Sequence, residues 1–334
     1  MHEKLIIIFI LINLPIVIFY NKIINIINIL DYHDGVRKFH KDNVPLLGGI
    51  LLTYNIFLFS ILDYLIGINP ANTFFNTREH FSFFGGLLMC FFVGLYDDKF
   101  NLSAIKKLFL NFFIILTVIS IDDTLVIKTL SFSFLEHPIE LKNISNFFTI
   151  LCILLFINAL NMFDGINFQV ATYCIIIFFL LLFKNVYSFY CLVIILTLCL
   201  FLFYNFKNKC FLGDSGTQLL SFIISYILIK TYNIERSINP EEIFIILSFP
   251  GLDMLRLFLL RIFNGKHPFS PDTNHIHHLI KSKYNSLYAF FMIQIIIITN
   301  ILLYYTLENK LISIFVSIFS YIILFIVYRN NKKS

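Results

Sequence analysis

Charge is scarce in this sequence. Only 13% of the 334 residues are Asp, Glu, Lys or Arg, and 58% are hydrophobic, whereas soluble domains run to about 25% charged and about 45–50% apolar. A soluble globular fold is thereby excluded and a polytopic membrane protein indicated. Tryptophan is absent, so anchoring at the membrane–water interfaces falls to the 17 tyrosines. No two of the six cysteines (Cys90, Cys152, Cys174, Cys191, Cys199 and Cys210) form a C-x-x-C. That speaks against a zinc knuckle or a disulfide framework and leaves them as small apolar packing residues. A basic patch is lacking too: the net charge of +5 is scattered over loops, unlike the clustered cations of a nucleic-acid-binding face. No small-x-small cleavage site follows the apolar run after Lys4, so an uncleaved first span is expected rather than a signal peptide.

Long apolar runs are abundant. A spanning helix takes roughly 20 apolar residues. Eleven runs come near it: 4–21, 45–66, 80–96, 108–121, 147–162, 168–183, 187–205, 216–231, 242–262, 287–306 and 311–328. The expected fold is an all-α transmembrane bundle of ten to eleven helices, one domain over residues 1–334, with no soluble domain or low-complexity tail. Fifteen Lys and Arg fall on the side of the first inter-span loop and eight on the other, with Arg256 and Arg261 inside the ninth run. The positive-inside rule then places the N-terminus outside and the C-terminus in the cytoplasm. The polar clusters that invite a function all fall on the cytoplasmic side.

Gly94-Leu95-Tyr96-Asp97-Asp98-Lys99 closes the third run. Adjacent carboxylates there are costly in lipid and must face water, a cation or a cavity. They point roughly 100° apart on a helix, so one can hold a metal or accept a proton while the other takes a lysine of the Lys106-Lys107 pair. A solvated helix cap is the plainer alternative. In Asn158-Ala159-Leu160-Asn161-Met162-Phe163-Asp164-Gly165-Ile166-Asn167, the spacing sets Asn158, Asn161 and Asp164 on one side of a helix, within an arc of about 120°, and Gly165 ends it. Such oxygens suit a hard cation or a nucleotide's polar edge; interhelical hydrogen bonding by asparagine, worth ~0.6 kcal/mol on average, is the alternative.

Phe211-Leu212-Gly213-Asp214-Ser215-Gly216 places an acid between glycines where a span opens. That position suits a metal ion beside N–H groups open to a phosphate, or a simple helix cap. Arg37-Lys38-Phe39-His40-Lys41 gathers four cationic-capable groups, suited to a phosphate or to an ordinary positive-inside flank. Gly48-Gly49, after Pro45, permits close helix approach. Four of the nine histidines lie between His267 and His278. With no cysteine nearby, they fit phosphate oxygens better than zinc. Asp253 and Arg256, spaced i, i+3, are expected to neutralise each other. Asp122-Asp123 are expected to be solvated surface. Asn21, Asn25 and Asn28 share a helical face, which codon bias explains as simply as an interfacial helix does.

Arg37 to His40 with Pro45 to Gly49, Asp97-Asp98, Asn158 to Asn167, Phe211 to Gly216 and Pro250 to His278 resemble, in the same order, the motifs of a known family. It is the polyprenyl-phosphate N-acetylhexosamine-1-phosphate transferases of glycosyltransferase family 4, membrane enzymes that move a phospho-sugar from a UDP-sugar to a lipid phosphate. Ser270-Pro271-Asp272 ahead of His275-Ile276-His277-His278 resembles the bacterial branch that starts O-antigen, enterobacterial common antigen or teichoic-acid linkage synthesis. It is less similar to the branch that transfers phospho-muramoyl-pentapeptide. Asn167 stands where Asp is common, Phe168-Gln169 where Gly-Leu is usual, Thr273 where Arg is usual and Asn111 where Gln is usual. These departures bear on the choice of UDP-sugar rather than on the reaction type.

The resemblance implies transfer of HexNAc-1-phosphate, GlcNAc-1-phosphate first among them, from a UDP-N-acetylhexosamine to undecaprenyl phosphate, with release of UMP. It implies Mg²⁺, or Mn²⁺ in its place, with Asp214 and Asn161 as ligands. Asp97 and Asp98 would orient or deprotonate the lipid phosphate or help hold the cation. Asn158, Asp164 and Asn167 would contact nucleotide or sugar, and Lys38, His40, Lys107, His275, His277 and His278 the phosphates. It implies a multi-pass protein of the bacterial inner membrane with a cytoplasmic site, membrane lipid around it and no nucleic acid; a homodimer is compatible with it. The competing class is an ion-coupled transporter with Asp97, Asp98, Asp164 and Asp214 as its ion path. Transporter sites lie near the bilayer midplane, many at internal repeats, whereas these acids sit at helix ends and no repeat is visible.

Overall fold

The computed structural model describes residues 2–31, 43–67, 76–270, 272 and 274–329. The expectations for Lys38, His40 and Thr273 lie outside them. Among the described residues the chain forms thirteen α-helices: α1 (His2–Ile18), α2 (Tyr20–Ile27), α3 (Gly48–Ile66), α4 (Thr77–Phe100), α5 (Ala104–Ile121), α6 (Ser145–Phe163), α7 (Gln169–Phe183), α8 (Ser188–Phe206), α9 (Gly213–Lys230), α10 (Pro240–Phe263), α11 (Ile276–Lys283), α12 (Ser286–Thr306) and α13 (Lys310–Tyr328). Ordinary capping sets several starts. Asn76, Asn285 and Asn309 accept amide protons ahead of α4, α12 and α13, and Pro240 opens α10.

All eleven apolar runs are helical. Among the described residues, eight helices are long and apolar enough to cross a membrane, and the α1–α2 pair, bent by 68°, makes a ninth if it is one span. The protein is therefore a helical polytopic membrane protein. Two expected spans fall short of that test for visible reasons: α7 has 15 residues, and α9 opens on the polar stretch Asp214 to Gln218. The bend makes α2 a helix in its own right, with Asn21, Asn25 and Asn28 exposed.

The helices cluster into two compact units. The first comprises Met1–Ser103 and Ala171–Leu220. There α3 lies along α8. Asn13 of α1 and Asn55 of α3, both buried, exchange amide hydrogen bonds of 2.8 and 3.1 Å. The amides of Gly48 and Gly49 donate to the carbonyls of Phe211 and Leu212 at 3.1 and 3.2 Å. A Cβ on Gly49 would fall 2.7 Å from the amide nitrogen of Gly216, so the glycine pair does permit the close approach expected of it. Two short antiparallel strands, β1 (Leu30–Asp31) and β2 (Val44–Pro45), pair Leu30 with Pro45 and Asp31 with Val44.

The second unit comprises Ala104–Val170 and Ser221–Ser334. Here α10 packs against α6 and α13, and α11 against α12. A second antiparallel pair, β3 (Thr129–Leu130) and β4 (Ile139–Glu140), lies in the loop after α5. That loop corrects one expectation. Asp122 is not solvated: it is 3% exposed and paired at 2.6 Å with Lys230, itself 1% exposed. Burial by itself would raise the Asp122 pKa, but hydrogen bonds from Lys230 and Thr124 hold its carboxyl below the usual range. Tyr232 and Asn233 donate to the carbonyls of Thr129, Thr124 and Val126 and so fasten the rest of the loop. Beside it is a cavity of about 350 Å³, lined among others by Leu130, Phe148, Phe156, Leu228 and Phe244.

Candidate functional site

In the first unit the acids meet at the start of α9. Gly213 takes a left-handed φ of +75°, which a side chain resists, and turns the chain into the helix. The Asp98 carboxylate, from the last turns of α4, lies against it. Its Oδ1 accepts from the amide of Asp214 at 2.7 Å and its Oδ2 from that of Ser215 at 3.1 Å. Two of the N–H groups expected to await a phosphate are therefore taken by Asp98. The approach of α4 to α9 requires Gly94, because a Cβ there would overlap the Ser215 backbone. Asp97 points elsewhere: it is buried, and its Oδ1 accepts from the amide of Leu102 at 2.6 Å, closing the turn after α4. The adjacent acids thus diverge, as their helical angle requires, and Asp98 joins the Asp214 segment.

In the second unit α6 ends at Phe163, and Asp164 is its C-cap, with φ −81° and ψ 75°. Asn158 and Asn161 share the helix; Asp164 has left it. Asn158 turns its amide nitrogen back to the Leu154 carbonyl at 2.8 Å. Gly165 is needed for contact rather than for an unusual φ, since a Cβ there would overlap the His277 ring. The Asn158–Gly165 segment and the histidine motif are thereby brought together. Asn167 follows in the same connection, and Phe168, with φ +70°, packs edge-on to Phe290 of α12. Lys107, half-buried near the start of α5, belongs to this unit as well.

The histidines stand on α11 and the residue before it. Their rings are mutually packed, with centroids of His275 and His277 5.2 Å apart and of His277 and His278 4.3 Å apart. His277 is 1% exposed. Burial, helped by the neighbouring imidazoles, pushes its pKa well below the ordinary value and that of His278 down to about 4. Both are neutral at pH 7, so each offers one N–H and no charge. His275 is held differently: its Nδ1 donates to Asp253 Oδ2 at 3.1 Å. Asp253 also takes the Arg256 guanidinium at 2.7 Å, as the i, i+3 spacing predicts. The loop's other end is held by Arg261, which donates to Asp272 at 2.7 Å and to the Pro268 carbonyl at 2.6 Å. The Asp253–His275 and Arg261–Asp272 contacts have no local signature in the sequence, beyond the oddity of three charged groups in an apolar run.

Among the described residues, no three His, Cys, Asp or Glu side chains are grouped to hold a metal on their own. Mg²⁺ does not ask for that: it takes one or two carboxylates, with water and substrate phosphates completing its shell. Asp98 and Asp214, acidic neighbours at the start of α9, provide that donor set in the first unit, and the residues present fit a hard divalent ion.

The clustered acids of one unit, and the amides and imidazoles of the other, are each side chains suited to cations or phosphates. Residues 80–232, which include Asp97, Asp98, Asn158, Asn161, Asp164 and Asp214, match glycosyl transferase family 4. The undecaprenyl-phosphate alpha-N-acetylglucosaminyl 1-phosphate transferases of Salmonella typhi and of Escherichia coli (strain K12) are each 29% identical over 276 residues, covering 78% of this chain and 71% of theirs. A Bacillus subtilis (strain 168) protein named probable undecaprenyl-phosphate N-acetylglucosaminyl 1-phosphate transferase is 28% identical over 252 residues, 72% of this chain and 67% of its own. These matches relate the chain, over residues 80–232, to glycosyl transferase family 4.

Proposed function

We propose that this protein transfers GlcNAc-1-phosphate from UDP-GlcNAc to undecaprenyl phosphate and releases UMP, as the first membrane step of a cell-envelope polysaccharide. The observation that carries the reading is the similarity, over 78% of the chain, to proteins named for that transfer. The lipid phosphate oxygen attacks the β-phosphorus of the UDP-sugar. A P–O bond to the lipid phosphate forms, the bond to the α-phosphate oxygen breaks, and UMP departs with that oxygen. The barrier is electrostatic, since one anion must approach another. Mg²⁺, when bound, supplies charge to neutralise the pyrophosphate and the leaving UMP.

Asp214 and Asn161 are each assigned to that ion by the resemblance alone. Asp98, fixed on the α9 amides, adds a second carboxyl group beside Asp214 and retains lone pairs for a cation. Asp97 or Asp98 orients or deprotonates the lipid phosphate. Asn158, Asp164 and Asn167 are assigned to nucleotide or sugar. His275, fixed through Nδ1 by Asp253, presents Nε2 to a phosphate, and His277 and His278 donate as neutral imidazoles. The apolar cavity of about 350 Å³ in the second unit suits a stretch of isoprenoid chain. The site is placed in the cytoplasm and the chain in the bacterial inner membrane, in keeping with the distribution of Lys and Arg.

A radiolabelled donor panel tests the assignment. Label from UDP-GlcNAc should move into the organic phase with undecaprenyl phosphate present, and label from UDP-MurNAc-pentapeptide should not. The reverse preference would move the protein to the muramoyl branch. Flux of a solute through proteoliposomes without UMP formation would make it a transporter.

A further inference from the structure

Tyr321, on α13, belongs to none of the motifs above. It is 4% exposed. Its hydroxyl donates to Asp253 Oδ1 at 2.8 Å and accepts from Arg256 Nε at 2.7 Å. The same Oδ1 also takes Arg256 Nη2 at 2.7 Å and the amide of Ile276 at 3.2 Å. Asp253 thus has one oxygen saturated by three donors, and its carboxylate cannot rotate. Its other oxygen is left aimed at His275 Nδ1, 3.1 Å away. A carboxylate only accepts, so this contact places the proton on Nδ1 and turns Nε2 away from Asp253. Arg256 is clamped from the other side by the Phe325 ring, 4.5 Å from the guanidinium carbon, and donates to the Asn274 carbonyl at 2.8 Å. The ring of Tyr321 rests edge-on against Phe249, with centroids 5.5 Å apart.

We propose that Tyr321 is a positioning residue for His275, acting through Asp253. The helix α13 thereby takes part in the transfer, although it lies outside the residues that match the family. The phenol does not touch substrate. It completes the set of donors that fixes the carboxylate, and the carboxylate fixes the tautomer and aim of the imidazole. Remote hydrogen-bonding partners of this kind are worth about 10- to 100-fold where a histidine is held for a metal, and a charge-assisted bond to a buried carboxylate is of similar strength. The effect on turnover rests on the transferase reading; the effect on the imidazole does not.

The test uses the full-length protein with Tyr321→Phe, which keeps the ring against Phe249 and removes the hydroxyl. With UDP-GlcNAc and undecaprenyl phosphate, kcat should fall about tenfold, with both KM values within about twofold and the unfolding midpoint nearly unchanged. In a His275→Asn background the same change should cost less than about twofold, because its route of action is gone. Unchanged kcat, or a full additional tenfold loss in the His275→Asn background, would overturn the proposal. A second measurement needs no turnover. Spectra of ¹⁵N-labelled imidazoles should show His275 protonated at Nδ1 in the wild type and averaged between tautomers in Tyr321→Phe; identical spectra overturn the proposal. Wild type lacking acceptor-dependent UMP release, with the spectra behaving as stated, would instead remove the transferase reading and leave the positioning role standing.

Discussion

The carboxylate of Asp98 accepts hydrogen bonds from the amides of Asp214, at 2.7 Å, and of Ser215. A side chain ending α4 thus caps α9, and the cap holds a second acid beside the first. Asp98→Asn replaces the carboxyl and turns one of its two acceptors into a donor facing an N–H group. Transfer should drop at least about 100-fold, as for loss of a preorganised electrostatic group, and the fold should lose about 1 kcal/mol of capping. Asp97→Asn keeps an oxygen for the Leu102 amide and should cost less in stability. Equal unfolding midpoints for Asp98→Asn and wild type would contradict the cap.

Gly165 and Gly213 make a paired test. Gly165 has an ordinary φ, and its missing Cβ makes room for the His277 ring; Gly213 has φ +75° and lies against Asp98. Gly165→Ala should displace His277 and lower kcat/KM for the UDP-sugar about tenfold, with a small change in unfolding midpoint. Gly213→Ala should lower the midpoint, because it adds backbone strain of about 1 kcal/mol or more to a clash. Kinetics and thermal unfolding on both variants would separate them.

The Asp122–Lys230 pair predicts an asymmetry. Lys230→Met leaves a carboxylate buried without its cation, which costs about 3–5 kcal/mol. Combining it with Asp122→Asn should recover much of that loss, since two neutral groups remain. Unfolding midpoints in detergent decide it: a double variant no more stable than Lys230→Met would show that the pair is not the source of the loss.

Acid should loosen the second unit as its buried imidazoles take up protons. His278 is held near pKa 4 and His277 well below its ordinary value. Between about pH 6.5 and 4 the unfolded chain binds protons that the folded chain refuses, so stability is full above 6.5 and falls as pH drops. His278 alone accounts for up to ~3 kcal/mol of that loss. His278→Gln should flatten the fall in unfolding midpoint between pH 7 and 4.5. An unchanged slope would mean that the ring is not buried as a neutral group.

Much of this was visible in the residues. Every apolar run is a helix, because periodicity and run length are local properties. Gly48-Gly49 marked a close approach, and Asp253 with Arg256 marked an internal ion pair. What could not be read depends on partners far along the chain. Asp98 meets an amide 116 residues away, and Asp122 meets a lysine 108 residues away, a partner that no local pattern around Asp122 announces. Asp164 left the helical face because its helix stops one residue earlier. The neutrality of His277 and His278 follows from burial, which a loop rich in His and Lys does not announce.

The most direct measurement follows the β-phosphorus. Purified protein is given UDP-GlcNAc labelled with ³²P at the β position, with undecaprenyl phosphate and Mg²⁺ added or withheld. The account predicts label in the lipid fraction and an equal yield of UMP, only when both are present, with both signals lost in Asp214→Ala. Label released into water without the lipid acceptor, or full transfer by Asp214→Ala, would contradict it.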